Sequence, residues 1–278
     1  MSQNKITIVI TSYKSEEKIL SCLESIDHQY KVIVIENSAN EDFKNKIEKK
    51  YTNVECLVAG ENLGYAKGNN LGLSKVKTKY SLILNPDAIL EKETIKNFLI
   101  TADKIKNFAI IAPAIQESNV ETGIKSITEV DSVKGFAMFF NLDEFRNIGF
   151  FDKNFFIYLE EIDLCRRLKQ NNKKIFIDPS IIISHQGGSS HDDKYNFEME
   201  LSRNWHWMWS SFYFSKKYNG FIFSLITFSK KIISSLFKSF FYFITMNKPK
   251  KLIYFFRLSG LFNSIIGKSS WYRPFNNN

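Results

Sequence analysis

Residues 81–88 read SLILNPDA, a short apolar run that ends abruptly in Asn-Pro-Asp. The run from Tyr80 to Leu84 predicts a buried strand. Pro86 has no backbone N–H, so the strand cannot continue through it and the chain has to turn out of the sheet. In open α/β sheets, ligands bind at the carboxyl ends of the strands. Asp87 is therefore placed to bind a divalent cation on a phosphate, although the same triplet could be only a turn.

Strand and helix patterns alternate along the first hundred residues. Apolar runs predict strands at residues 6–10, 32–35, 54–58 and 80–84. Helical patterns follow these runs at residues 16–27, 42–50, 65–74 and 92–104, with Ser15 as the predicted N-cap of the first helix. This order predicts an α/β fold with a mainly parallel central sheet flanked by helices. Beyond residue 110 the pattern is less regular, with a helix predicted at 160–170 and short strands at 175–177 and 181–183.

The charge is unevenly distributed along the chain. Residues 1–200 carry 26 Lys and Arg against 29 Asp and Glu, whereas residues 201–278 carry 12 Lys and Arg and no acidic residue. Of the 4 Trp, 12 Tyr and 26 Phe, 22 lie after residue 200. We therefore predict a first domain at residues 1–215 and a basic, aromatic helical extension at 216–278. The three cysteines lie far apart, which argues against a disulfide framework or a zinc site.

Polar side chains follow four of the predicted strands, and they should meet at one edge of the sheet. They are Thr11 and Tyr13, Glu36 and Asn37, a loop and helix start containing Asn62, Lys67 and Asn70, and Asn85 with Asp87. A nucleotide can use such a set, because a carboxylate can accept the imide N–H of uracil or thymine while amides hold ribose and phosphate. Glu36 could equally be a solvated strand-end residue. The glycines at 60, 64 and 68 fit neither a dinucleotide fingerprint nor a P-loop, which argues against NAD binding and ATP hydrolysis.

A second acidic cluster, EEIDLCRR, lies at residues 160–167. A helix that begins here has Glu160 and Glu161 in its first turn, where the helix dipole favours anions even without catalysis. Asp163 can pair with an arginine one turn later, which is a purely structural role. Alternatively, one of the two glutamates is a general base that takes the proton of an acceptor hydroxyl.

His185 follows a short apolar strand and precedes a Gly-Gly pair. A single histidine of this kind is usually structural or lies on the surface. At the end of a strand it could instead complete the coordination of a cation held by Asp87 and a diphosphate.

Taken in order, these motifs resemble those of family 2 glycosyltransferases. The matching segments are IVITSY at 8–13, VIVIENS at 32–38, ENLGYAKGNN at 61–70 and LNPD at 84–87. The segments EEIDLCRR at 160–167, HQGGSS at 185–190 and RNWHWMWSSFYF at 203–214 resemble the rhamnosyltransferase-like branch. The resemblance covers about residues 5–215 and implies a GT-A fold. It also implies an inverting, metal-dependent transfer from a nucleotide-diphosphate sugar.

The resemblance implies roles for individual residues. Asp87 matches the acidic residue that binds a divalent metal, Mg²⁺ or Mn²⁺, and His185 matches a histidine that reaches the metal or the diphosphate. Glu36 matches an Asp that contacts the base, and Glu161 matches an Asp that acts as catalytic base, with Glu160 as the alternative. Both matched glutamates are one methylene longer than the usual Asp, and a misplacement of about 1 Å can cost roughly a hundredfold in rate. The other predicted nucleotide-sugar contacts are Thr11, Tyr13, Asn62, Lys67, Asn70 and Asn85.

Residues 220–246 are hydrophobic but contain three lysines. The longest uncharged stretch, residues 218–229, has 12 residues, whereas a spanning helix needs about 20. Helical spacing places Thr227, Lys231, Ser234, Ser235 and Lys238 on one face and Phe228, Ile232, Leu236, Phe240 and Phe243 on the other. This pattern predicts a helix in the bilayer interface, with its lysines on anionic headgroups. A helix packed on the domain or on a dimer partner would show the same pattern.

Together these features predict a glycosyltransferase that is cytoplasmic and peripheral on the inner face of the membrane. It would move a sugar, with rhamnose favoured, from a dTDP- or UDP-sugar to a lipid-linked or polysaccharide acceptor. No signal-peptide pattern precedes the first strand, and no motif predicts nucleic-acid binding. The alternatives are a nucleotidyltransferase and a non-catalytic membrane-bound scaffold that keeps only the nucleotide-sugar pocket.

Overall fold

The computed structural model describes residues 5–114, 125–185 and 190–275. Its strands are β1 (Ile6–Ser12), β2 (Lys31–Glu36), β3 (Val54–Val58), β4 (Tyr80–Leu84), β5 (Ala88–Leu90), β6 (Ile110–Pro113), β7 (Thr128–Glu129), β8 (Ala137–Asn141), β9 (Ile175–Asp178) and β10 (Ile183–His185). Its helices are α1 (Glu16–Glu24), α2 (Glu41–Lys50), α3 (Gly64–Leu73), α4 (Thr94–Ile105), α5 (Glu160–Gln170), α6 (Asn196–Asn219), α7 (Phe221–Ile244) and α8 (Lys248–Ile265).

The central sheet has the strand order β3-β2-β1-β4-β8-β6-β9-β7. Its first four strands pair in parallel, as do β6 and β9. Strand β8 runs antiparallel between β4 and β6. The strands β1, β2 and β4 are almost entirely buried apolar runs, as expected for a sheet covered on both faces. The predicted mainly parallel α/β sheet is therefore confirmed.

Strands β5 and β10 form a separate antiparallel pair, in which Ala88 lies opposite His185. Strand β5 is not predicted from the sequence, because it has only three residues and directly follows the Asn-Pro-Asp turn. The later strand was predicted to end at residue 183, whereas β10 begins there and includes His185. The pairing of the two strands is what brings His185 next to the end of β4.

The first helix begins where the sequence predicts but is not capped as predicted. Ser15 occupies the N-cap position of α1 without a capping bond from its side chain, and its hydroxyl pairs instead with that of Ser12 at 2.8 Å. The amide of Glu17 donates to the carboxylate of Asp192 at 3.3 Å, and the amide of Asp192 donates to the carbonyl of Lys14. The predicted N-cap position is confirmed, but the acceptor for the first turn of the helix comes from Asp192, far along the chain, and not from the Ser15 hydroxyl.

Contacts divide the chain into two compact units. The first unit runs to Phe151 and resumes over Glu161–Asp193, and the second consists of Asp152–Glu160 and the chain from Lys194 onward. The domain boundary predicted at residue 215 lies within α6.

The second unit is built on three helices. Its core joins Met208 and Phe212 of α6, Phe228 of α7 and Leu261 of α8. Helices α6 and α8 approach closely because residue 260 is a glycine, at which a Cβ would lie only 2.1 Å from a backbone oxygen of α6.

Helix α7 buries one narrow side and exposes most of its apolar side chains. Phe228 and Ser235 are buried, whereas the following side chains are more than 60 % exposed: Ile222, Ile226, Ile233, Phe237, Phe240, Phe243 and Ile244. The predicted division of this helix into two faces is wrong, because Ser235 of the predicted polar face and Phe228 of the predicted apolar face are both buried. Within the described ranges, no helix is long and apolar enough to cross a membrane.

Helix α3 packs very closely on β1 because two of its residues have no side chain. A Cβ at Gly68 would lie 2.5 Å from Cγ2 of Thr11, and one at Gly72 would lie 2.4 Å from Cγ1 of Val9. This close approach also lets the Thr11 hydroxyl donate to Oδ1 of Asn69 at 3.0 Å. The glycines therefore set the spacing between α3 and the strand that carries Thr11.

We expect Gly72→Ala to lower the free energy of unfolding by about 1–3 kcal/mol, because the new methyl group overlaps a buried, rigid valine. Urea unfolding monitored by circular dichroism measures this loss. In a Val9→Ala background the same change should cost less than about 0.5 kcal/mol, since the overlapping atom is gone. Equal losses in both backgrounds would show that the contact is not what demands glycine.

Candidate active site

Asp87 lies just beyond β4, with only 2 % of its side chain exposed. Its Oδ1 accepts a hydrogen bond from the Ser190 hydroxyl at 2.8 Å and lies 3.4 Å from Nε2 of His185. Its Oδ2 is buried and has no hydrogen-bond partner among the residues described. Burial by itself raises the pKa of this carboxyl, but the bonds from His185 and Ser190 outweigh it, so the pKa lies below its ordinary value. Asp87 is therefore an ionised carboxylate with one oxygen to which none of the described residues hydrogen-bonds.

His185 is fixed on several sides. The β5–β10 ladder holds its backbone, and its ring stacks on Phe136 with centroids 4.5 Å apart. Its Nε2 also lies 3.5 Å from the side-chain amide of Asn85. The structure thus brings Asn85, Asp87 and His185 together at the end of β4, as the sequence analysis required.

The loop before β8 places Glu161 near the same group. The ring of Phe136 stacks on that of His185. A Cβ built on the preceding residue, Gly135, would lie 3.6 Å from Cβ of Glu161, so the two residues are adjacent. The Tyr65 hydroxyl donates to the carbonyl of Gly135. Because consecutive Cα atoms are only about 3.8 Å apart, Glu161 and His185 flank one short stretch of backbone.

The acidic residues at the start of α5 differ in exposure. Glu160 is buried, whereas Glu161 is partly exposed. Asp163 is fully buried and forms an ion pair with Arg167 at 2.8 Å. This confirms the predicted pairing of Asp163 with an arginine one helical turn later. The guanidinium of Arg167 also donates to the carbonyl of Ile148 at 3.0 Å, which ties α5 to the preceding loop.

Glu36 closes the loop that follows β2. The residue is buried, and its two carboxylate oxygens accept from the amides of Ser38 at 2.7 Å and Asn40 at 2.8 Å. Each oxygen can still accept a second hydrogen bond, so contact with a base remains compatible with this geometry. Beside it, Oδ1 of Asn37 is buried without a partner among the described side chains and backbone, which leaves a second acceptor at this strand end.

The remaining predicted donor contacts are spread over α3 and its neighbours. Asn62 accepts from the amide of Gly64 at 3.0 Å, and Lys67 is exposed. Asn70 both donates to the carbonyl of Phe151 at 2.8 Å and accepts from its amide at 3.1 Å, so this side chain pins a distant segment of the first unit to α3. The Thr11 hydroxyl donates to Asn69 of α3, and Tyr13 is partly buried. Their roles toward a nucleotide sugar remain predictions.

The residues around Asp87 suit a divalent cation. One spare carboxylate oxygen and a nearby imidazole are ligands that Mg²⁺ or Mn²⁺ can use, with phosphate and water oxygens supplying the rest. In the part of the chain that the structure describes, no group of three or more His, Cys, Asp and Glu side chains could hold a metal ion by itself. A metal here would therefore depend on oxygens from the donor.

The sequence analysis missed several groups that shape the site. Ser190 bonds to Asp87, and Phe136 stacks on His185. Gly135 lies beside Glu161, and Tyr65 bonds to Gly135. None of these four residues was singled out. Ser190 lies in the HQGGSS segment, whose residues 186–189 are outside the described residues. Its distance of five residues from His185 was the available signal, since two residues so close in sequence can contact the same side chain.

Comparison with known proteins identifies the family to which the chain belongs. Residues 7–178 match the family model described as Glycosyl transferase family 2. The chain is 28 % identical over 197 residues to the low-salt glycan biosynthesis hexosyltransferase Agl10 of Haloferax volcanii, with 61 % of this chain and 63 % of that protein covered. It is 25 % identical over 244 residues to the rhamnosyltransferase WbbL of Escherichia coli, with 72 % and 89 % covered. The chain thus spans less than two thirds of the Haloferax relative.

Among solved structures, the mannosyltransferase PcManGT from Pyrobaculum calidifontis, in complex with GDP-Man and Mn²⁺, matches with a TM-score of 0.62. The match has 9 % identity and covers 94 % of this chain and 87 % of that one, so it supports the GT-A fold alone. The family model covers well over half of the chain and every strand of the candidate site except β10. The chain therefore belongs to glycosyl transferase family 2, as its motifs predicted.

Proposed function

We propose that the protein is an inverting glycosyltransferase that moves a sugar from a nucleotide-diphosphate donor to an acceptor hydroxyl. The observation that supports this most strongly is the position of Asp87, His185 and Glu161. Three side chains from separate parts of the sequence lie around the short loop at residues 135–136. Membership of glycosyl transferase family 2 supports a nucleotide-sugar donor for this site.

In the proposed reaction, Glu161 takes the proton of the acceptor hydroxyl as that oxygen forms a bond to the anomeric carbon of the sugar. The bond from this carbon to the diphosphate breaks, and its electron pair leaves with the nucleoside diphosphate. A single displacement of this kind inverts the configuration at the anomeric carbon. We assign the base to Glu161 rather than Glu160, because a base has to reach the acceptor and Glu160 is buried.

Asp87 and His185 would hold a divalent cation in this proposal. A bound Mg²⁺ or Mn²⁺ would neutralise charge on the diphosphate. The spare, buried Oδ2 of Asp87 supports this assignment, because an ionised buried oxygen without a partner is costly in the absence of a cation. At the other end of the donor, Glu36 and Asn37 would accept N–H groups of the base.

The finer substrate assignments are proposals as well. Rhamnose from a dTDP-linked donor is the first sugar to test, because one relative is named a rhamnosyltransferase and the other a hexosyltransferase. A lipid-linked or polysaccharide acceptor is suggested by a third relative, a teichoic acid poly(glycerol phosphate) polymerase of Staphylococcus epidermidis. It is 33 % identical over 119 residues, which cover 40 % of this chain and 16 % of that protein.

We expect Glu161→Gln to lower the rate of transfer about 10²- to 10⁴-fold while donor affinity stays within about twofold, because only proton removal is lost. Release of nucleoside diphosphate measures the rate, and calorimetry measures donor binding. Glu160→Gln is the matched control and should retain most activity. The reverse result would make Glu160 the base, release of pyrophosphate would favour a nucleotidyltransferase, and no turnover with any donor would favour a scaffold.

We expect Asp87→Asn to abolish Mn²⁺-dependent donor binding, because the amide keeps the shape but loses the charge that the cation needs. Electron paramagnetic resonance of Mn²⁺ titrated in the presence of a nucleoside diphosphate measures this binding. Asp143→Asn, an exposed residue paired with Arg146, is the control and should bind normally. Unchanged Mn²⁺ binding in the Asp87 variant would contradict the proposed metal site.

We further propose that α7 binds an anionic membrane surface, which would make the protein peripheral on the inner face of the cell membrane. Its exposed apolar side chains and the exposed Lys230, Lys231 and Lys238 suit a helix at the bilayer interface. The same unit contains a cavity of about 430 Å³ whose lining includes Trp205, Phe256 and Arg273. An aromatic cavity with one cationic side chain could take the lipid phosphate of an acceptor.

We expect replacement of Lys230, Lys231 and Lys238 by Gln to weaken binding to phosphatidylserine vesicles at least tenfold, because each lysine contributes about 1 kcal/mol near an anionic surface. Vesicle co-sedimentation measures the loss. The matched control replaces three exposed lysines of the first unit, Lys46, Lys75 and Lys77, and should bind normally. Equal binding of all variants, or a dimer in solution that buries α7, would contradict membrane attachment.

A further inference from the structure

Two consecutive residues before α5 have an unusual backbone conformation. Tyr158 has a φ of 73° and Leu159 a φ of 68°, and α5 begins at the next residue, Glu160. Neither residue is glycine, and neither has the short polar side chain that eases the left-handed region. Such a conformation persists only where the surroundings hold it, and it is often found next to functional groups.

Helix α6 and the segment after α8 hold the residues just before Glu160. The ring of Phe156 is buried and stacks on His206 of α6, with centroids 4.3 Å apart and planes 23° from parallel. The guanidinium carbon of Arg273 lies 3.9 Å from the centroid of the same ring. The aromatic ring therefore joins a helix to the C-terminal segment of the same unit.

The next two residues are held by α6 as well. The Ser210 hydroxyl donates to the carbonyl of Ile157 at 2.8 Å. Tyr158 packs edge-on against Trp207 with centroids 5.5 Å apart. The segment from Phe156 to Tyr158 is thus fixed residue by residue before the chain enters α5.

His206 is itself fixed as a neutral ring. It is fully buried, with Nδ1 2.9 Å from the Ser270 hydroxyl and Nε2 3.0 Å from the carbonyl of Tyr272. A carbonyl only accepts, so Nε2 carries the proton. Burial and the charge of Arg273 hold the pKa of His206 well below its ordinary value. A neutral histidine here can stack on Phe156 without placing a second charge beside Arg273.

We propose that Phe156, through its contacts with His206 and Arg273, is a positioning residue for the general base at the start of α5. This inference rests on the proposed function, because it concerns the base of that reaction. Phe156 touches no reacting atom. It holds the backbone that keeps Tyr158 and Leu159 left-handed, and this backbone sets where the first turn of α5 begins and which way Glu161 points. A displacement of the base by about 1 Å is enough to slow transfer roughly a hundredfold.

The test compares two variants with the same chemical change, Phe156→Leu and Phe212→Leu. Both replace a buried phenylalanine of the second unit, but the ring of Phe212, on α6, packs edge-on against Phe221 and Phe228 of α7. We expect Phe156→Leu to lower kcat 10- to 100-fold with the donor KM within twofold, and to shift the acidic limb of the pH–kcat profile. Phe212→Leu should lower the melting temperature similarly but keep kcat and the pH profile.

The proposal is overturned if Phe156→Leu keeps the wild-type kcat, or if Phe212→Leu loses as much activity per folded molecule. A crystal structure of Phe156→Leu decides the matter without any turnover. Release of Tyr158 and Leu159 from the left-handed region supports the inference, and retention of positive φ at both residues overturns it. Absence of wild-type turnover with every nucleotide sugar would instead count against the proposed function.

Discussion

A carboxylate buried at the end of a parallel strand shapes this molecule. Asp87 has to remain ionised in a place where burial disfavours charge, and it does so because His185 and Ser190 contact the same oxygen. Both partners arrive from beyond residue 180, so the chain has to return to the end of β4 and pair β10 with β5. The same returning segment brings Asp192 to the first turn of α1. One buried charge thereby connects the start of the sheet with the last part of the first unit.

The site combines rigid and strained elements. The apolar strands give the sheet its order, and the glycines of α3 set a close approach to β1 that fixes the side of the site where Thr11 lies. The proposed base, Glu161, is positioned differently, because α5 follows two residues with left-handed backbone, Tyr158 and Leu159, that neighbouring side chains have to hold. Rigid strands suit groups that bind a diphosphate, whereas a held but strained segment suits a group whose position determines a rate.

Much of the fold was predictable from local pattern. The strands at 54–58 and 80–84 and the helix at 160–170 match the sequence prediction residue for residue, because their apolar periodicity is strong and their ends carry clear turn signals. The ion pair of Asp163 with Arg167 was also predictable, since it needs only helical spacing. The cap of α1 was not, because Asp192 lies 175 residues from the amide it serves. Strand β5 was missed because three residues carry too little pattern.

The sequence by itself was enough to predict the α/β sheet, the family and the polar residues at the strand ends, because periodicity and motifs are properties of residues close together in the sequence. Which of those residues meet was settled by folding. Contacts between Phe136 and His185, or between Ser190 and Asp87, depend on long loops closing and on strands pairing in one register. Packing also determines why Glu160 is buried and Glu161 is partly exposed, and why Phe228 is buried and Phe240 is exposed. The helical period shows which residues share a face, but it does not show which face other elements will cover.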